Sequence, residues 1–283
     1  VILRLTTRVS HSSALVELRG QRSAVEPPVS AYPRNPPKYV MVPANAARRH
    51  PIVEERIGQL AEWANDSPLN RIEMADTALG IVTCGVAYQY VKEVFPSASV
   101  LKLGTSYPLP TRLIRDFAAQ VDQLVVVEEL DPCLEEEIRL MGIPCRGKDI
   151  FPLCYEFDPL VLQESASRAG LPVDLVPSQI ELIDMPPLPA RPPTLCPGCP
   201  HRPVFTVLRK LGLPVNGDIG CYTLGLLPPL GALHTCGCMG AGIGVAHGAD
   251  KAGDDERHVA VIGDSTFFHT GMPALLNVSY NHG

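Results

Sequence analysis

The chain has 283 residues, 46% of them hydrophobic, with nine cysteines and a formal net charge of −6 at pH 7. That length and apolar content allow two or three domains with buried cores and no need of disulfides, and an acidic balance without a basic stripe excludes nucleic acid and anionic membrane as partners. No apolar run reaches the roughly 18–20 residues of a membrane span and no leader-like segment opens the chain, so the expected location is the cytoplasm.

The chain opens on Val1-Ile-Leu-Arg-Leu-Thr-Thr-Arg, which reads as a strand from Val1 to Val9 already under way, and closes on Asn281-His-Gly. Both ends look like cuts through a longer polypeptide. Pro27, Pro28, Pro33, Pro36 and Pro37 follow; proline fixes φ and removes a donor, so residues 20–38 are expected to be a loop. From Asn45 to Asp66 apolar residues recur at helical spacing (Val53, Ile57, Leu60, Ala61, Ala64), the pattern of an amphipathic helix.

Residues 72–175 alternate strand and helix signals. ALGIVTCG, SVLKLG and QLVVVEEL are short β-rich runs, and VAYQYVKEVF, TRLIRDFAAQV and PCLEEEIRLMG read as the helices between and after them. Such alternation predicts βαβ units and a parallel sheet. Glu128 and Glu129 close the third run, where they could face a site or lie solvated or paired with arginine. The proline-rich DMPPLPARPPTLCPGCP predicts a stiff linker with a boundary near residue 188.

After it the logic repeats: PVFTVLRKLGL suits a helix, VNGDIGCYTLG a strand end and loop, MGAGIGVAHGADKAG a helix of small residues, RHVAVIGDS a strand and FFHTGMPALLNVSYN a helix. Glycines 240, 242, 244 and 248 each cost about 1 kcal/mol relative to alanine inside a helix, a cost that close packing or close approach to a ligand would explain. The fold class is therefore α/β.

The Gly263-Asp264-Ser265 turn ends the last strand. It puts a carboxylate where open α/β sheets bind ligands, and one such oxygen suits Mg²⁺, which takes its other ligands from phosphates and water. Asp264 could equally cap the following helix.

CPGCPHR (196–202), GDIGCYTLG (217–225), CGCMGAGIG (236–244) and GDSTFFHTG (263–271) together resemble the alpha subunit of indolepyruvate:ferredoxin oxidoreductase, in its thiamine-diphosphate-binding domain. Upstream, LRLTTRVSHS, PANAARRH, GVAYQYVKEV, LKLGTSYPLP and VVVEELDP are similar to the same subunit in the same order, so the likeness covers nearly the whole chain. It implies two three-layer parallel-sheet domains, transketolase C-terminal-like at 41–188 and thiamine-diphosphate-binding at 189–283. These would follow the tail of a pyrimidine-binding domain and a linker at 1–40, and the window would be a central part of a larger enzyme. The first of the two domains mostly builds a dimer in such enzymes.

The implied reaction is oxidative decarboxylation of an arylpyruvate to an acyl-coenzyme A, with electrons passed to ferredoxin and a beta subunit as partner. A pyruvate or branched 2-oxoacid enzyme is the runner-up, and a non-catalytic metal- or partner-binding α/β module the contrasting class. The cofactors implied are thiamine diphosphate and Mg²⁺, with Asp264 as metal ligand. The asparagine that completes the metal site in the family would fall past Gly283, so Asn277 and Asn281 are not assigned. The activating glutamate belongs to the preceding domain; Glu17 lies too late in its tail, and no general base is assigned.

By the same likeness, Cys199, Pro200, Ile219, Gly220, Cys221, Tyr222, Met239, Gly240, Gly263, Asp264 and Ser265 would contact the cofactor, Asp218 would belong to the loop beneath it, and His201 and Arg202 would supply a proton donor and an anion clamp. Cys196, Cys199 and Cys221 match three ligands of a 4Fe-4S cluster in related 2-oxoacid:ferredoxin oxidoreductases, while the clusters recognised in indolepyruvate subunits lie in a ferredoxin-like tail. Structural cysteines lining the pocket are the alternative. A structural zinc lacks a second tight pair. Cys84, Cys133, Cys145 and Cys154 have no ligand spacing and read as core or surface thiols.

Overall fold

A computed structural model describes residues 2–3, 5–17, 33–173 and 192–283. The chain divides into two compact units, Val1–Glu181 and Leu182–Gly283; the expected boundary near 188 lies outside the described residues.

The first unit opens with a correction. Thr7–His11 is a helix, α1, not the end of a strand. Thr6 stops the extended backbone by accepting the Val9 N–H, and the apolar side chains that suggested a strand, Ile2 and Leu3, are exposed. Arg8 anchors the segment, donating to the Tyr90 hydroxyl, to the Phe157 carbonyl at 2.6 Å and to Glu156 at 2.8 Å. The expected loop at 20–38 falls largely outside the described residues, but its end departs from expectation: Pro36–Tyr39 form a short helix, α2, capped by Asn35, because proline is tolerated in a first turn. Helix α3, Pro43–Asp66, follows as the periodicity predicts and runs through Pro51.

A four-stranded sheet then assembles from β1 (Arg71–Glu73), β2 (Asp76–Cys84), β3 (Ala98–Leu103) and β4 (Gln123–Val127) in the order β1-β3-β2-β4. β2 pairs in parallel with β3 and β4, joined by α4 (Ala87–Val94) and α5 (Thr111–Ala118). The sheet is not wholly parallel, because β1 adds antiparallel to β3 at the edge; three residues are too few to show alternation. Side chains alternate across β4. Val125 and Val127 join α4 and α7 (Pro159–Arg168) in one core, while Leu124 and Val126 join α5 and α6 (Cys133–Leu140) in another. Helices on both faces make the three layers that a parallel sheet requires.

Neither reading of Glu128 and Glu129 describes what they do. Glu128 is buried and accepts the Leu134 and Glu135 N–H groups at 2.8 and 2.9 Å, capping α6, and Glu129 accepts the Phe157 N–H at 2.9 Å. Burial raises the Glu128 pKa against the lowering effect of those amides.

The second unit carries α8 (His201–Leu211), which ends on left-handed Gly212, then β5 (Val215–Gly217), a 3-10 turn at Cys221–Leu226, β6 (Thr235–Cys236), α9 (Ala241–Lys251) and β7 (Val259–Ala260). The last helical stretch begins as α10 (Asp264–Thr266), passes a π turn at Phe267–Gly271 and continues as α11 (Met272–Tyr280). The sheet is parallel, in the order β6-β5-β7. Its strands are shorter than RHVAVIGDS suggested, although the Val261 N–H still reaches the Asn216 carbonyl at 2.9 Å. Leu195, Phe205, Val215, Tyr222, Leu230 and Ala232 form the core of this unit. On α9 a Cβ at Gly242 would fall 2.8 Å from the Asn216 backbone oxygen, whereas one at Gly244 or Gly248 would meet open space. Close packing on the sheet thus accounts for one of the four glycines, and Gly240 takes a left-handed φ of +93° just before the helix.

Candidate functional site

Because β5, β6 and β7 run in parallel, their carboxyl ends share one edge of the sheet, and there the sequence places its acidic turns. β5 leads into Asp218, β6 turns through Met239 and Gly240 into α9, and the chain leaving β7 runs through Gly263 before α10 starts at Asp264.

Asp218 is completely buried with both carboxylate oxygens engaged: Oδ1 accepts the Tyr222 hydroxyl and Oδ2 the Gly240 N–H. A polar group at this depth requires such partners. The loop between is closed by Thr223, whose hydroxyl donates to the Asp218 carbonyl at 2.9 Å and accepts the Gly220 N–H at 3.1 Å. Asp218 therefore ties the end of β5 to the start of α9.

Tyr222 is the other fixed point. Its buried ring stands where a Cβ at Gly220 or Gly263 would be, 2.4 and 3.0 Å away respectively. His201 meets the ring edge-on, with centroids 5.8 Å apart. Burial raises the Tyr222 pKa and the hydrogen bond to Asp218 raises it further, so the phenol stays protonated and donates. One side chain thus touches the Gly-Asp-Ile-Gly loop, the start of α8 and the Gly-Asp-Ser turn. The turn before α9 is held from a further side by Thr270, whose hydroxyl donates to the Met239 carbonyl at 3.3 Å.

Asp264 lies exposed at this edge. Gly263 occupies the cap position before the helix, and Asp264, its first residue, accepts the Ser265 N–H on Oδ1 at 2.8 Å. Oδ2 accepts no hydrogen bond among the described residues, so it offers a hard oxygen ligand of the kind Mg²⁺ takes. Ile219 and Met239 expose 54% and 46% of their surface on the neighbouring loops, enough apolar area for an organic ring to rest on. The residues present therefore fit a Mg²⁺-bound thiamine diphosphate.

Other expected site residues are placed differently. The Arg202 guanidinium is engaged with backbone, donating to the Cys196 carbonyl at 3.0 Å and to that of Leu195. Pro200 precedes the first turn of α8. Cys196 and Cys221 are exposed and Cys199 half-buried against the core, and no group of three or more His, Cys, Asp or Glu side chains among the described residues is placed to hold a metal ion. The three cysteines do not converge as cluster ligands. A hollow of about 420 Å³ lined by Ile243, His247, His258, Ile262, Phe267 and Leu275 contains none of the expected site residues.

Residues 218–283, which begin at the buried carboxylate, match the family model "Thiamine pyrophosphate enzyme, C-terminal TPP binding domain". Over 99% of its length the chain is 38% identical to indolepyruvate oxidoreductase subunit IorA of Thermococcus kodakarensis and 39% identical to that of Pyrococcus horikoshii; over its full length it is 37% identical to that of Archaeoglobus fulgidus. The likeness to these subunits runs along nearly the whole chain. The chain spans about half the length of these relatives, 49%, 49% and 48% respectively. A solved 2-oxoglutarate:ferredoxin oxidoreductase from Magnetococcus marinus is similar with a TM-score of 0.36 and 18% identity over 45% of this chain and 23% of its own, too slight a likeness to bear on the fold. The IorA-like chain thus has the α/β layering expected of it, and the thiamine-binding match, residues 218–283, contains the turns at the carboxyl edge of its second sheet.

No helix among the described residues is long and apolar enough to cross a membrane.

Proposed function

We propose that this IorA-like chain holds thiamine diphosphate for the oxidative decarboxylation of arylpyruvates to acyl-coenzyme A, with electrons passed to ferredoxin and a beta subunit completing the enzyme. The observation that carries this reading is the convergence of Asp264, Tyr222, Asp218 and the Met239–Gly240 turn on one sheet edge, inside the segment that matches the thiamine pyrophosphate family.

In this reading Asp264 would hold Mg²⁺ with its free carboxylate oxygen, with Gly263 and Ser265 shaping the turn around it. Ile219 and Met239 would give the ring of the cofactor an apolar seat, on turns where Gly220 and Gly240 admit the side chains of Tyr222 and Thr270. When bound, thiamine diphosphate supplies the carbon nucleophile for the keto group and accommodates the electron pair left by CO₂. His201, set edge-on to Tyr222, is the side chain this reading assigns to hold or deliver a proton. Arg202 acts on the turn before α8 through the backbone carbonyls it holds. Any iron-sulfur cluster of the electron path would be held in this reading outside the described residues, among which no group of three or more ligating side chains gathers.

Calorimetry of the full-length protein with thiamine diphosphate and Mg²⁺ tests the assignment. Asp264→Ala is expected to weaken binding at least tenfold and to abolish its dependence on Mg²⁺. Equal affinity in both proteins would remove the anchor of the proposal.

A further inference from the structure

The Cys-Pro-Gly-Cys turn at 196–199 is not used by the site described above. Pro197 and Gly198 hold its central positions, Gly198 with φ of +74°, and the Cys199 N–H donates to the Cys196 carbonyl at 3.1 Å. Proline followed by left-handed glycine is the signature of a type II turn, whose first and fourth Cα atoms lie within about 7 Å. Cysteines joined by a disulfide have Cα atoms about 4.4–6.8 Å apart. The turn therefore already has a separation that closure requires, and the two hydrogen bonds from Arg202 to the Leu195 and Cys196 carbonyls brace it.

Exposure divides the roles of the two thiols. Cys196 is open to solvent, while Cys199 is half-buried against the core. Helix α8, of 11 residues, begins two positions after Cys199. Cys236 and Cys238, the other close pair, are separated by one residue only and lack a turn that brings them face to face.

We propose that Cys196 and Cys199 are a redox-active dithiol, closed to an intramolecular disulfide by small-molecule disulfides. The Cys196 thiolate attacks one sulfur of the small disulfide, forming a mixed disulfide and expelling one thiolate. The Cys199 thiolate then attacks the Cys196 sulfur, closing the bond and expelling the second. Two electrons and two protons leave the protein's thiols, and the small disulfide becomes two thiols. Closure ties down the entry to α8, and so the residue before its first turn and His201 at its start. This chemistry is independent of whether thiamine diphosphate binds.

The test equilibrates the reduced full-length protein with mixtures of oxidised and reduced glutathione, quenches by alkylation and locates the free thiols by peptide mass spectrometry. Cys196 and Cys199 are expected to lose alkylation together, in a peptide lighter by two hydrogens, and to regain it in excess reduced glutathione. Cys199→Ser should retain glutathione on Cys196, and Cys221→Ser should leave the pair unaffected. The proposal is overturned if both thiols stay alkylated at every ratio, or if glutathione persists on Cys196 in the unsubstituted protein. It is equally overturned if anaerobic reconstitution with iron and sulfide yields a 4Fe-4S absorption that Cys196→Ser abolishes. Should a variant fail to fold, the unsubstituted protein decides.

Discussion

Asp218 and Asp264 both follow a glycine at the end of a parallel strand, yet one is buried with two donors and the other exposed with one. The difference gives each a distinct mutational signature. Tyr222→Phe keeps the ring against Gly220 and Gly263 but strips the carboxylate of a donor, and hydrogen bonds to charged groups contribute about 1.5–3 kcal/mol. A loss of that size in urea unfolding is expected, with weaker thiamine diphosphate binding; an unchanged midpoint would show that the bond does not stabilise the edge. Asp264→Ala should leave the midpoint within about 0.5 kcal/mol, as exposed sites generally do. Both aspartates are visible in the sequence as residues of glycine-flanked turns. The burial of Asp218 is not, because it depends on Tyr222 four positions on and on the Gly240 N–H, which only the β6–α9 turn brings near.

At the scale of elements, α9 makes a sharp contrast among its glycines. A Cβ at Gly242 would press on the Asn216 carbonyl, which belongs to the backbone of the central strand and has no rotamer to yield. Gly242→Ala is therefore expected to destabilise by about 1–3 kcal/mol, the usual range for overpacking. Gly244→Ala and Gly248→Ala meet open space and should each stabilise by about 0.5–1 kcal/mol through helix propensity. Thermal unfolding of the three variants checks the order, and equal effects would refute it. The alternation of β-rich runs and amphipathic helices made β2, α4, β3, α5, β4 and α6 legible, because each buries a full apolar face with its proper period. The antiparallel β1 escaped notice since three residues with two charges carry no period, and α1 was misread because Ile2, Leu3 and Leu5 suggest a strand that Thr6 interrupts by capping a helix.

Across the molecule, pH dependence follows from carboxylates whose partners are fixed by the fold. Glu73 titrates below its ordinary value because the Tyr88 hydroxyl donates to it, with Lys92 and Arg71 adding to the effect. Unfolded chain then binds more protons in that range, so this contribution to stability is fully present above the ordinary glutamate pKa and is lost as pH falls through the lowered folded value. Glu128 has the opposite sign: its pKa is raised by burial, so the folded state holds its proton longer and its contribution diminishes as pH rises through the carboxylate range. Urea midpoints measured from neutral to acid pH are expected to fall for the unsubstituted protein and to fall less steeply for Glu73→Gln; parallel curves would show that Glu73 is not a source of the acid lability. The common direction of β5, β6 and β7 has a practical consequence as well. The connection from α9 into β7 belongs to the amino-terminal side of the sheet, away from the acidic turns, and Asp255 in it is exposed. A fluorophore attached there would report on unfolding or assembly while leaving the chemistry of the opposite rim untouched.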